Sequence, residues 1–309
     1  MFSYRHGFHA GNHADVLKHA ILVSLLAYMG RKDKAYWYID THAGAGAYSL
    51  TEGFAAKREE FHNGIGRIWG RTDAPPLIAR YLTQIAEMNR TTRGVAGTDS
   101  APGELHASGE DAAVAGSHAD PLRFYPGSPY LAWQQMRPQD RMRLFELHPS
   151  EIDILSENFE DARRLAVITR ADGFEAIRSV LPPAPRRALT LIDPSFEDKQ
   201  DYDRTIDAVN EALRRFPNGV YAIWYPIVQR ADAQSFPHRL QALGCTSWLH
   251  ATLRIAAPPA DGFGLYGSGL FVINPPFVLE AELAQALPWL RDVLAEDDGA
   301  QFTLDAHIP

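Results

Sequence analysis

The sequence predicts an α/β protein built on a doubly wound sheet and closed by an antiparallel hairpin. Three observations carry that reading. Short runs rich in β-branched and aromatic residues alternate with segments of helical spacing, the pattern of successive βα units. Several runs end in a carboxylate or a glycine-rich turn, as strands do at the carboxyl edge of an open sheet, where ligands sit. Two late runs, 246–255 and 269–273, are placed to pair as the closing hairpin.

A helix is expected over 14–29, followed by a first strand at 35–40 that ends in Asp40. Residues 54–90 have helical spacing, with apolar Ile65, Ile68 and Trp69 and then Leu77, Ile78, Tyr81, Leu82 and Ile85. Residues 94–120 are rich in Gly, Ala and Ser and almost lack large apolar side chains, which reads as a flexible loop. The run Pro126-Gly127-Ser128-Pro129 opens another helix. Strands follow at 143–147, 165–169, 188–192 and 220–224, separated by helices that include 202–216. Tyr36, Trp37 and Tyr38 are read as core and sheet packing.

At 309 residues the chain can bury a large core. The 46% hydrophobic and 22% charged fractions are those of ordinary globular proteins. No apolar run approaches a membrane span, and the start of the chain, with His6 and His9 in place of an apolar stretch, is unlike a signal peptide; a cytoplasmic location is expected. Cys245 is the single cysteine, which excludes an intramolecular disulfide and a cysteine-based zinc site. A net charge of −8 argues against coating nucleic acid by bulk attraction. The charge is uneven, however: residues 1–38 carry five basic against two acidic side chains, and 52–93 carry seven against five. If RNA or DNA binds, these segments are the ones expected to meet its phosphates, although solvated helix faces explain the same pattern.

The run Leu189-Thr190-Leu191-Ile192-Asp193-Pro194-Ser195-Phe196 is the most informative in the chain. A buried strand feeds an Asp-Pro-x-aromatic corner. An exocyclic amino group on a base has its lone pair delocalised into the ring, so it is a poor nucleophile until its protons are held. Asp193 and the carbonyl of Pro194 can each accept one N–H, and Phe196 can stack on an extruded ring. Asp-Pro is also ordinary turn chemistry.

The first strand ends in Asp40-Thr41-His42-Ala43-Gly44-Ala45-Gly46. Such a turn lets backbone approach a nucleotide-like ligand, but it is neither G-x-G-x-x-G nor followed by a Walker lysine. Glu146, ending the next strand, could take both hydroxyls of a ribose. Asp172, at the end of the third, could accept from an adenine amino group. Together these describe an adenosine site that avoids phosphate, as S-adenosylmethionine requires. His9 and His13 are four apart, but Gly11 and Asn12 between them are poor helix residues, and no metal site is expected. The corner Asn274-Pro275-Pro276-Phe277 rivals the one at Asp193, but with only 32 residues after Phe277 it is read as the end of the last strand.

These motifs carry a resemblance to the RlmJ family of bacterial large-subunit rRNA adenine-N6 methyltransferases, class I enzymes that use S-adenosylmethionine. The match runs nearly end to end, through Ser3-Tyr4-Arg5-His6, the string 8–19, the turn 40–46, Tyr125 to Pro129, Glu146 to Pro149, Ala171 to Gly173 and Ile192 to Pro194. The resemblance implies a Rossmann-like methyltransferase domain of residues 1–51 and 121–309, with 52–93 an inserted helical subdomain and 94–120 a loop. It implies cofactor contacts from His19, His42, Ser128, Glu146, Asp172, Gly173 and Asp193, catalysis by Asp193 with Pro194 and Phe196, and substrate contacts from Tyr4 and Lys18. The implied partner is 23S rRNA, methylated at adenine 2030 in the family, by a monomer without metal or membrane. Ser195 and Phe196 stand where the family has proline and tyrosine, so a catalytically weakened RNA-binding protein is one alternative; a DNA adenine-N6 methyltransferase is another.

Overall fold

In the computed structural model, residues 6–51, 59–92 and 121–309 are described. Ten strands are found among them: β1 (Trp37–Asp40), β2 (Ala47–Ser49), β3 (Phe124–Pro126), β4 (Arg141–Glu146), β5 (Ala166–Arg170), β6 (Ala188–Ile192), β7 (Val220–Ile227), β8 (Trp248–Arg254), β9 (Gly267–Ile273) and β10 (Gln301–His307). The helices are α1 (His13–Gly30), α2 (Ile65–Ile68), α3 (Pro76–Thr91), α4 (Ser128–Trp133), α5 (Pro149–Asn158), α6 (Gly173–Val180), α7 (Gln200–Arg215), α8 (Ala231–Gln241) and α9 (Leu279–Leu294). No helix among the described residues is long and apolar enough to cross a membrane.

Eight strands form one sheet in the order β10-β8-β9-β7-β6-β1-β4-β5. β5, β4, β1, β6 and β7 run parallel, β9 is antiparallel to both β7 and β8, and β10 is antiparallel to β8. The chain leaves β1 toward β4 and β5 and then returns to β6 and β7 on the other side. This reversal opens a crevice at the carboxyl end of β1. Register sets what lines it: Asp40 is level with Leu144 of β4 and Leu191 of β6, so Glu146 and Asp193 each stand two residues further out at the same edge.

Alternation along the central strands separates two cores. Leu189 and Leu191 of β6 and Ala222 of β7 face α1, α3 and α9, whereas Ile192, Tyr221 and Ile223 face α6, α7 and α8. Helix α1 is apolar almost all round because it is covered almost all round, by the sheet on one side and by α3, α4 and α9 on the other. The Asn12 side chain caps it by accepting from the Ala14 and Asp15 amides at 3.0 and 3.1 Å. Ile65, Ile68, Leu77, Ile78, Tyr81 and Ile85 join the core under α1, so the helical segment 59–92 shares the hydrophobic interior of the main body. The loop expected at 94–120 lies outside the described residues.

Three features depart from the sequence reading. β2 and β3 pair as a small antiparallel ribbon. β7 runs on to Ile227 past Pro226, a residue that normally argues against a central strand. The chain after Phe277 is long enough to matter: α9 packs beneath the sheet and β10 adds an edge strand with alternating exposure. The rival corner is therefore excluded for another reason than length. β9 runs against β7, so Asn274 emerges at the opposite edge of the sheet, where its Nδ2 donates to the Pro217 and Gly219 carbonyls at 2.8 and 2.7 Å.

Buried Asn89 fastens α3 to β3. Its Nδ2 donates to the carbonyls of Ile85 and Phe124, and its Oδ1 accepts from the amides of Arg123 and Phe124, all within 2.8–2.9 Å. Asn89→Ala leaves the Phe124 groups and the Arg123 amide without these partners and should cost about 2–4 kcal/mol in urea unfolding. A change below ~0.5 kcal/mol would mean water replaces the amide.

Candidate active site

The turn after β1 is built by glycines. Gly44 and Gly46 have φ of +59° and +77°, and a Cβ on Gly46 would stand 2.6 Å from the Phe159 ring. The turn delivers the Gly44 amide to Glu146 Oε2 at 2.8 Å, while the His148 amide reaches Oε1 at 2.7 Å. Glu146 is thus held by two backbone donors at the end of β4, each oxygen keeping a lone pair for a ligand. Burial nonetheless pushes its carboxyl up, against the pull of those amides.

At the end of β5, Asp172 Oδ1 caps α6 by accepting from the Phe174 amide at 3.0 Å. Its Oδ2 is taken by Arg204 of α7, whose guanidinium lies over the Phe174 ring, 4.4 Å from the centroid. A Cβ on Gly173 would fall 1.8 Å from the Thr41 carbonyl, so only glycine lets α6 begin so close to the β1 turn.

The corner after β6 is held by α1. Lys18 Nζ lies 2.5 Å from Asp193 Oδ2 and 2.9 Å from Asp15 Oδ1, with all three side chains nearly excluded from water at 4%, 11% and 2% exposure. His6 Nε2 approaches the other Asp15 oxygen at 3.0 Å. Burial raises Asp193 to about 6, against the lowering effect of Lys18 and His6. Burial also works against Asp15, but His6, Lys18 and His19 hold its carboxyl well below the usual carboxylate range.

Two histidines in the wall are kept neutral. Burial lowers His19 to about 3; its Nδ1 meets the Tyr125 hydroxyl at 2.8 Å, and its buried Nε2, 3.9 Å from Asp15 Oδ1, has no hydrogen-bond partner among the described residues. Burial lowers His42 to about 4; its Nδ1 meets Thr41 Oγ1 at 2.8 Å, and its ring stands edge-on to Phe174. These groups enclose a cavity of about 830 Å³, lined by His19, His42, Glu146, Asp172, Lys18 and Asp193 among others. That is ample for a nucleoside-sized ligand.

The structure thus gathers His19, His42, Ser128, Glu146, Asp172, Gly173, Lys18, Asp193 and Pro194 around one cavity. Tyr4 lies outside the described residues. Phe196 requires a correction: its ring is 3% exposed, packed 4.6 Å from Tyr202 and against Trp224 and Phe236, with φ +53°. The left-handed backbone turns it into the core beneath α7 and α8, so in this conformation it offers no stacking face to the cavity. Ser195, beside it, does line the cavity. Ser128 directs its hydroxyl to Asp40 Oδ2 at 2.7 Å instead of into open space.

Asp40 itself was missed as a site residue. Fully buried, it also accepts from the Tyr38 hydroxyl at 2.6 Å and holds the base of the turn. Arg204 carried no local signal, because its role depends on α7 crossing over Asp172. The basic residues of 59–92 turn out to be engaged: Arg67 donates to the last carbonyls of α9, and Arg71, Arg80 and Arg90 pair with Asp73, Glu282 and Glu87. His9 meets Glu60 at 2.8 Å, and His13 begins α1 beyond Gly11 at φ +78°, so the two do not share one helix.

The strand order, the glycine turn and a carboxylate at each of the ends of β4, β5 and β6 define a class I methyltransferase. The comparison with known proteins narrows the class. The model of the family described as ribosomal RNA large subunit methyltransferase D, RlmJ, matches residues 33–104 and 113–305. Proteins named ribosomal RNA large subunit methyltransferase J from Haemophilus influenzae and Escherichia coli K12 are 40% and 38% identical over the full length of both chains. A Legionella pneumophila protein of known crystal structure is 31% identical and superposes with a TM-score of 0.79, covering 97% of this chain and 98% of that one. The chain belongs to the RlmJ family.

The Asp193 carboxyl should titrate near pH 6 in a carbon-detected NMR experiment. Lys18→Met removes the adjacent cation and leaves burial less opposed, so the titration should move to higher pH. An unmoved or lowered value would show that the Lys18 contact does not govern the carboxyl.

Proposed function

We propose that this protein transfers a methyl group from S-adenosylmethionine to the N6 amino group of an adenine in 23S rRNA, the nucleotide being the one the family methylates. The observation that carries the reading is the Asp193-Pro194 corner. It places an ionisable carboxylate, fixed by Lys18, beside a carbonyl that no donor meets among the described residues. The names of the full-length relatives support the large-subunit rRNA as substrate.

The cavity suits S-adenosylmethionine. Glu146 would hold the ribose diol, Asp172 and Phe174 the adenine, and His19 would line the cofactor's other end. Both histidines are neutral, so neither adds a cation beside a ligand that is itself positively charged. When bound, the cofactor supplies an electrophilic methyl on a sulfonium.

The chain's own contribution is to hold the amino group. Asp193 accepts one N6 hydrogen and the Pro194 carbonyl accepts the other, which turns the nitrogen lone pair out of conjugation with the ring. The nitrogen would gain a bond to the methyl carbon as the bond from that carbon to sulfur breaks and its electron pair stays on sulfur, and the proton the nitrogen gives up would pass to ionised Asp193. Lys18 keeps the carboxylate oriented and favours its ionised form. The position at β6 gives the same two acceptors to any substrate strand able to extrude its base.

Asp193→Ala should abolish transfer to an rRNA fragment while melting like the wild type; measurable single-turnover methylation by that variant would remove Asp193 from the chemistry. The pH dependence has a defined sign. Asp193 is raised from 3.8 to about 6, so the acceptor is present above that value and lost as pH falls through it. The rate should fall about tenfold per unit below pH 6. A flat profile down to pH 5 would contradict the assignment. Glu146→Ala strips the ligand's hydroxyls of their acceptor and should weaken S-adenosylmethionine binding by about 1–3 kcal/mol in calorimetry, with rRNA affinity unchanged. Equal loss of both would indicate a structural role.

A further inference from the structure

The cavity accounts for one nucleotide, but an rRNA substrate continues on both sides of it. Beyond the cavity, the carboxyl edge is extended by the loop 255–266 between β8 and β9. β7 continues four residues past Ile223, which pairs with Ile192 at the end of β6, and its last residue Ile227 pairs with Gly267 at the start of β9. The base of the loop therefore stands about 10 Å beyond Asp193 and two strands, about 10 Å, to its side. That separation is spanned by a few nucleotides of single strand.

The loop is firmly rooted. The Ile255 amide donates to the Tyr266 carbonyl, the Tyr266 amide to the Ile227 carbonyl, and the Ala257 amide to Asp297. Gln229, next to the Arg230 that donates to the Phe196 carbonyl, reaches the Pro259 carbonyl. At its tip Gly262 and Gly264 both have positive φ, +79° and +106°, and between them the Phe263 ring is 80% exposed. This is the most exposed large apolar side chain among the described residues. At the loop's root the Arg254 guanidinium lies over the Tyr266 ring, 5.9 Å from its centroid, with no ion pair to any described residue.

A solvent-facing aromatic ring at the tip of a loop whose root carries an unpaired cation offers what a single-stranded nucleic acid needs: a platform for a base and a charge for its phosphate. We propose that Phe263 stacks on an unpaired base of the rRNA flanking the target adenine, with Arg254 meeting an adjacent phosphate. The proposal rests on the rRNA reading above and adds a second point of contact, outside the cavity, that would position the strand.

Binding of a fluorescein-labelled single-stranded 23S rRNA fragment is followed by anisotropy, alongside single-turnover and steady-state methylation. Phe263→Ala should weaken binding about tenfold or more and raise KM correspondingly, with kcat, S-adenosylmethionine affinity and melting temperature unchanged. Phe263→Trp should retain binding, and Phe263→Leu, apolar but without a π-face, should not. Arg254→Gln should reduce the slope of log affinity against log salt by about 0.7, one phosphate contact on a single strand. Wild-type binding by Phe263→Ala overturns the proposal, and so does a fragment that the wild-type protein does not bind. The same result would be expected if the ring docks a protein. Phe263-dependent binding without methyl transfer would instead sustain the contact and refute the methyltransferase reading alone.

Discussion

A lysine ammonium buried between two carboxylates sets the geometry on which the site depends. Taking charges out of water is costly, and a buried pair holds only when its hydrogen bonds are well made. Lys18 makes contacts at 2.5 and 2.9 Å to Asp193 and Asp15, and His6 steadies the far side of Asp15. Because α1 is packed on almost every side, the ammonium cannot follow a moving carboxylate into solvent. The corner after β6 is therefore referenced to a helix buried along most of its length. The same burial that makes the arrangement costly lifts Asp193 into the range where a carboxyl can exchange a proton near neutral pH.

The sheet supplies what the ion pair does not. Parallel strands in register bring Asp40, Glu146 and Asp193 to one edge, and the glycine turn after β1 directs its Gly44 amide to Glu146. The two walls of the cavity differ in kind. On the β4 side, the Glu146 carboxylate is held by two backbone donors, the Gly44 and His148 amides. On the α7 side, Asp172 shares an oxygen with Arg204, a partly exposed side chain that can yield to a ligand. A ligand whose amino group reaches Asp172 must share that oxygen with the guanidinium or displace it, so the adenine end of the cavity is the adaptable one.

Much of the site was legible in the sequence because its parts are local. A carboxylate or glycine at a strand end is visible as a run of β-formers followed by Asp, Glu or Gly, and the parallel-sheet rule places all such ends on one edge. Glu146, Asp172 and Asp193 were found that way, and family resemblance added His19, His42 and Ser128. Asp40 was not weighed because its role is to be buried, which no local pattern reveals. Arg204 was not weighed because it lies 32 residues from the aspartate it meets.

By itself, the sequence determined the alternation of strands and helices, the chemistry of each strand end and the family to which they belong, since all of these are properties of short segments. Only the tertiary structure decided which way those segments face. Phe196 reads as a stacking ring, but a left-handed backbone and the apolar pocket formed by Tyr202, Trp224 and Phe236 draw it inward. Asn274 reads as a second catalytic corner, but the antiparallel direction of β9 carries it to the opposite edge. Lys18 meets Asp193 across 175 residues, a contact that exists only once α1 has packed against β6 and β7. Direction, edge and long-range pairing follow from how elements pack against one another, and packing is not written in any single segment.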